Sequence, residues 1–106
     1  MTPEGKIQRD IVKYLSERGI LHRRYSATAN AYGYPDIDVW FAGTYIGLEV
    51  KTDDGVATDL QIGIINAIIA TGNHAYIVKS KEEVIAILSK VGGKDIGVTE
   101  LPKTNT

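Results

Sequence analysis

Asp36, Glu49 and Lys51 are the residues of this 106-residue chain whose types and spacing could do chemistry together. Glu49 and Lys51 are separated by one residue, so in an extended strand both side chains leave the same face. Asp36 follows Pro35 and opens an earlier apolar stretch. If the two stretches pair as a hairpin, Asp36 comes to lie beside Glu49. Two carboxylates held close together repel unless a cation sits between them. Oxygen ligands of this kind suit Mg²⁺ or Mn²⁺. Such an ion acidifies water and stabilises charge that grows on a phosphate. Lys51 would then position the attacking water or offset charge in the transition state. The main-chain carbonyl of Val50, between the two, is a further candidate ligand. The chemistry that this set suits is hydrolysis of a phosphate ester.

The elements that must position these groups are readable in order. Thr2 and Pro3 suit the N-cap and first position of a helix. Ile7, Ile11, Tyr14 and Leu15 recur there at helical spacing, and Gly19 ends it. Glu4 falls on the inward face, with Gln8 beside it. Ile20 to Tyr25 reads as a first strand and residues 26–34 as a loop. Asp36 to Phe41 reads as a second strand, with Ile37, Val39 and Phe41 on one face. Ala42-Gly43-Thr44 is a tight turn into a third strand, Tyr45 to Lys51. There Ile46, Leu48 and Val50 share one face, and Gly47, Glu49 and Lys51 share the other. After a polar loop, Thr58 to Ala70 reads as a helix closed by Gly72. Its apolar residues leave almost no polar face, which predicts burial on more than one side; a second copy of the chain is one way to supply the cover. His74 to Lys79 is a fourth strand. Ser80 and Glu83 form a capping box for a last helix, whose Val84, Ile87, Leu88 and Val91 face inward and which Gly92-Gly93 stops. Residues 1–93 form the predicted domain. Residues 94–106 carry weak signals and are expected to be partly disordered, apart from a short strand at Ile96 to Val98. The order α-β-β-β-α-β-α, with a hairpin and then a helical crossover, predicts an α/β fold with a mixed four-stranded sheet flanked by helices.

Composition excludes some classes. The hydrophobic share is 43% and the charged share 24%, as in ordinary folded domains. There are no cysteines, which removes disulfides and thiolate metal sites. No signal-peptide pattern opens the chain, and no apolar run is long enough to span a bilayer. A reducing, cytoplasmic setting is compatible with this. The net charge is -1, whereas proteins that hold nucleic acid by charge alone are usually basic. A nuclease that concentrates carboxylates around a cation and keeps local basic patches would reconcile the two.

The spacing of Pro35-Asp36 and Glu49-Val50-Lys51 resembles the PD-(D/E)xK nuclease motif. More of the chain agrees with one branch of it. Gly33-Tyr34-Pro35-Asp36-Ile37 looks like the GxPD(I/L) box of the virus-type replication-repair nuclease (VRR-NUC) family, and Gln61 opens the next helix where that family carries a glutamine. Gly72, the strand Ala75 to Val78 and an early Glu4 also fit, so the resemblance runs from about Thr2 to Val91. The joint pattern is the specific signal; each piece alone is weak. The resemblance implies a restriction-endonuclease-like fold and Mg²⁺-dependent DNA cleavage, with Mn²⁺ able to substitute. It implies that Asp36 and Glu49 are metal ligands, that Lys51 is catalytic, and that Glu4 and Gln61 support the site, Glu4 reaching the metal through water. It implies attack by an activated water that leaves a 5′-phosphate. Small stand-alone members, of the kind bacteriophages carry, are similar to Holliday-junction resolvases. The resemblance therefore implies a homodimer acting on branched DNA, with no organic cofactor and no membrane.

Other residues have competing readings. His22, Arg23 and Arg24 could form a phosphate-contacting patch or an exposed strand edge. Tyr32 and Tyr34 could stack on unpaired bases or pack on the protein. Glu4 could be a first-turn acid favoured by the helix dipole. Gln61 could reach the site or complete a capping box with Thr58. Gln8 reads as a helix-surface residue. Two rivals share the fold: a sequence-specific restriction-type endonuclease, and a non-catalytic DNA-binding nuclease subunit.

Overall fold

The protein is described by a computed structural model, over residues 1–25 and 32–92. The predicted tail and the predicted strand at Ile96 to Val98 lie outside the described residues, as does most of the loop that follows the first strand. The elements are α1 (Pro3–Glu17), β1 (Leu21–Arg24), β2 (Ile37–Phe41), β3 (Thr44–Val50), α2 (Asp59–Ala70), β4 (His74–Val78) and α3 (Lys81–Val91). The predicted order holds. Strand ends differ by a residue: Asp36 stands just before β2, and Lys51 and Lys79 just after β3 and β4.

The sheet runs β1-β2-β3-β4, antiparallel across the first three strands and parallel between β3 and β4. The β2–β3 hairpin turns through two residues with positive φ, Ala42 at 54° and Gly43 at 76°. Primed two-residue turns match the right-handed twist of paired strands. Phe41 pairs with Thr44, which fixes the register Ile37↔Leu48 and sets Asp36 across from Glu49.

Alternation along the strands splits the sheet into two unlike faces. Ile37, Val39, Ile46, Leu48, Val50 and Val78 form one side of the core with Ile11 and Leu15 of α1 and Val84 and Leu88 of α3. Each such fully buried side chain contributes roughly 1.5–3 kcal/mol. Three helix starts are capped as predicted: Thr2 accepts from Gly5 N–H, Thr58 from Gln61 N–H and Ser80 from Glu83 N–H. The reciprocal arm of the last box differs from expectation, because Glu83 accepts from the Lys79 amide and not from that of Ser80.

The other face carries Asp38, Gly47, Glu49 and Ala75, and α2 lies over its β3–β4 half. Here a prediction needs correcting. Within one chain, Ile65 is the buried residue of α2, while Leu60, Ile62 and Ile69 are exposed. A helix lying on a sheet covers one stripe only; its remaining apolar residues need another surface or stay in water.

Candidate active site

The hairpin register brings Asp36 and Glu49 together, and Lys51 leaves the same face one step further on. Asp36 Oδ2 accepts a hydrogen bond from Val50 N–H at 2.8 Å. Within a strand, the N–H and C=O of one residue point to the same side. The Val50 carbonyl is therefore directed toward Asp36 as well. The Lys51 amide points the other way, to the carbonyl of Val78 at 2.9 Å.

Glu49 is 2% exposed. Its Oε2 accepts from Gln61 Nε2 at 2.9 Å and lies 3.6 Å from Lys51 Nζ. Its Oε1 is buried and has no hydrogen-bond partner. Burial first, and then the charge of Asp36, push its pKa up to about 7, against the opposing pull of Lys51. A buried carboxylate oxygen without a donor costs free energy unless something else satisfies it. A divalent cation between Asp36 and Glu49 would do so.

Gln61 makes both contacts that its position allows. Its Oε1 accepts from Thr58 N–H at 2.9 Å, completing the capping box of α2. Its Nε2 reaches Glu49. The first turn of the helix thus fixes which end of the amide faces the carboxylate.

Two glycines permit this close packing. A Cβ on Gly47 would lie 2.7 Å from Pro35 Cγ and 2.9 Å from the Tyr45 hydroxyl. Gly33 has φ 83°, and a Cβ there would lie 2.7 Å from Leu60 Cγ. The bare positions let the Pro35-Asp36 corner press onto β3 and onto the start of α2.

An open cavity of about 850 Å³ borders Asp36, lined also by Glu4, Gln8, Arg24, Tyr25 and Thr52. Glu4 faces this space from the first turn of α1, and its charge adds slightly to the upward push on Glu49. Among the described residues, no three His, Asp or Glu side chains come together as a metal-holding group. Among the described residues, Asp36, Glu49 and the Val50 carbonyl are the oxygen groups that the hairpin brings together.

His22, Arg23 and Arg24 do not form one patch, because alternation along β1 sends them to opposite faces. His22 Nδ1 lies 2.8 Å from the Ile20 carbonyl and Nε2 lies 3.4 Å from Ser16 Oγ, tying it to the end of α1. Arg24 Nε donates to Gln8 at 2.9 Å, on the cavity side. Arg23 stands on the face of Asp36 and Glu49. Tyr32 and Tyr34 are 75% and 56% exposed, and Tyr34 borders a shallow hollow with Tyr45, Ile64 and Ile68.

Sequence reasoning missed Asp38. It is 7% exposed and accepts from the Tyr25 hydroxyl at 2.6 Å and the Tyr45 hydroxyl at 2.5 Å, with Arg23 Nη2 at 3.4 Å. Its hydrogen bond to Tyr25 raises that phenol's pKa; burial and then the Asp38 bond raise that of Tyr45. The signal was available: Asp38 is a charged residue two positions from Asp36, on the same face of a mostly apolar strand.

No family model and no curated protein matches this sequence. Solved structures do. A structure described as a VRR_NUC domain superposes with a TM-score of 0.69 at 23% identity, over 84% of this chain and 97% of that one. A VRR_NUC domain protein gives 0.68 at 21% identity, over 95% and 98%. Hjc of Archaeoglobus fulgidus, a Holliday junction resolvase from an archaeal hyperthermophile, gives 0.53 at 20% identity, over 72% of this chain and 62% of its own. The mixed sheet, its hairpin and its helical crossover are those of the restriction-endonuclease-like fold, shared with VRR_NUC domains.

Proposed function

We propose that this chain is a VRR-NUC nuclease, a Mg²⁺- or Mn²⁺-dependent endonuclease that hydrolyses the phosphodiester backbone of branched DNA, four-way junctions above all. The observation that carries the reading is the pairing of Asp36 with a buried Glu49 whose Oε1 has no hydrogen-bond partner, beside Lys51. Likeness of fold to VRR_NUC domains and to a Holliday junction resolvase supports the nuclease class and the branched substrate.

Asp36, Glu49 and the Val50 carbonyl would hold the cation, with Glu4 acting through water. When bound, the ion supplies charge stabilisation at the phosphate and acidifies water. Gln61 and Lys51 occupy Glu49 Oε2 and so leave Oε1 to face the ligand. Lys51, whose side chain is only 12% exposed, keeps an ammonium beside the reacting phosphate, where it orients the nucleophile and offsets developing negative charge. Arg24 borders the cavity and Arg23 is exposed on the face of the carboxylates, so both suit backbone phosphates, with His22 on the same strand, and exposed Tyr32 and Tyr34 suit stacking on unpaired bases. The uncovered apolar stripe of α2 supports a homodimer, which two symmetric incisions across a junction require.

The test is a cleavage panel over four-way junction, flap, linear duplex and single strand, with Mg²⁺, with Mn²⁺ and with chelator. Junction incision that needs the metal is expected, with Asp36→Ala and Glu49→Ala each lowering it at least about a thousandfold while circular dichroism stays unchanged. Full activity in either variant defeats the assignment. Cutting of linear duplex at one sequence, with junctions ignored, selects a restriction-type enzyme. Failure to bind cation or cut DNA under any metal selects a non-catalytic subunit.

A further inference from the structure

Among the described residues, α2 covers the β3–β4 half of the polar face of the sheet, and Arg23 and Trp40 are exposed on its β1–β2 half. Side chains there fall into rows across the strands. Tyr25, Asp36 and Glu49 form one row, since the Tyr25 amide donates to the Asp36 carbonyl at 2.9 Å. Arg23, Asp38 and Gly47 form the next. Rows on one face are two residues, or about 7 Å, apart. That is of the order of the distance between neighbouring phosphates along a DNA strand.

Arg23 is built into its row. Its guanidinium lies 4.7 Å from the centre of the Tyr25 ring and 3.4 Å from Asp38 Oδ2. Asp38 in turn is held by the hydroxyls of Tyr25 and Tyr45. Yet the Arg23 side chain is 62% exposed, against 9% for that of Asp38. A guanidinium has five donors, and the Asp38 contact leaves most of them turned to solvent. For an ordinary surface ion pair, a buried acid with two tyrosine donors is a large investment of polar groups. It makes sense if the orientation of the arginine is what matters.

We propose that Arg23 contacts the DNA phosphate next to the one that is cut, and that Asp38 is the positioning residue that holds it there over the Tyr25 ring. This rests on the nuclease reading above. The site takes a phosphodiester, and it lies one row from the carboxylate pair on the same face of the sheet.

The experiment measures binding of a fluorescent four-way junction by the full chain in chelator, so that it does not depend on cleavage. Arg23→Gln is expected to weaken binding about tenfold and to reduce the slope of log K against log salt by about one unit. Asp38→Asn and Tyr25→Phe are expected to weaken it in the same direction by less. A neutral methylphosphonate next to the cut site should cost the wild type as much as Arg23→Gln does, and cost that variant nothing further. In Mg²⁺, the Arg23→Gln defect should fall more on KM than on kcat. Arg23 is exposed, so this variant stays folded even where Asp38→Asn does not. Wild-type affinity and salt slope in Arg23→Gln overturn the inference while leaving the nuclease reading intact. A wild type that binds no junction overturns both.

Discussion

Glu49 is kept in a state that water alone would not favour. It is buried beside Asp36, with one oxygen lacking a hydrogen-bond donor, and its pKa stands near 7 against an ordinary 4.5. Between those two values the folded chain holds more protons than the unfolded one, so stability must fall as pH rises across that window. The contribution is fully present below 4.5 and lost above about 7. In chelator, urea midpoints of the wild type should therefore drop over this range. Glu49→Gln should flatten that drop, and Mg²⁺ should restore the wild type at the alkaline end. Parallel profiles for wild type and Glu49→Gln would sink the account. The sequence makes Asp36, Glu49 and Lys51 legible because strand alternation and one hairpin suffice to bring them together. Asp38 was not legible in the same way, because its meaning depends on hydroxyls delivered by Tyr25, just after β1, and by Tyr45 of β3.

At the scale of elements, the strand preceding the site is held against its neighbour by what is missing at position 47. Gly47→Ala would drive a methyl into Pro35 and the Tyr45 hydroxyl, and overpacking of this kind costs about 1–3 kcal/mol. Because Pro35 precedes Asp36, the displacement should also weaken Mg²⁺ binding, readable by calorimetry alongside chemical denaturation. Unchanged stability and unchanged affinity together would refute this. Helix starts were legible from Thr2, Thr58 and Ser80, since capping is a local matter of side chain and nearest amides. The basic run His22-Arg23-Arg24 stays open between its two readings for an equally local reason. Adjacent residues on a strand face opposite ways, so proximity in sequence divides them in space.

For the molecule as a whole, the exposed stripe of α2 decides the expected assembly. Ile62 and Ile69 lie two helical turns apart on one side and are 42% and 49% exposed. A homodimer through this helix would cover them. Multi-angle light scattering should give twice the chain mass, and Ile62→Glu with Ile69→Glu should halve it without loss of helical signal. A wild type that is monomeric at working concentration would count against the dimer. The topology was legible because hairpins and parallel crossovers have few alternatives. Cover supplied by another copy has no signature of its own: in sequence, an apolar helix face reads the same whether a sheet or a second helix closes it.

Gln61 has one further consequence. Where a helix begins S/T-x-x-E/Q, glutamate and glutamine both serve at the last position, so the cap alone does not choose between them. Here the oxygen end is claimed by the Thr58 amide and the nitrogen end by Glu49. Glutamate would start the helix just as well and yet turn a second anion toward the first. The helix would keep its cap, and Glu49 would lose its amide donor and face another carboxylate.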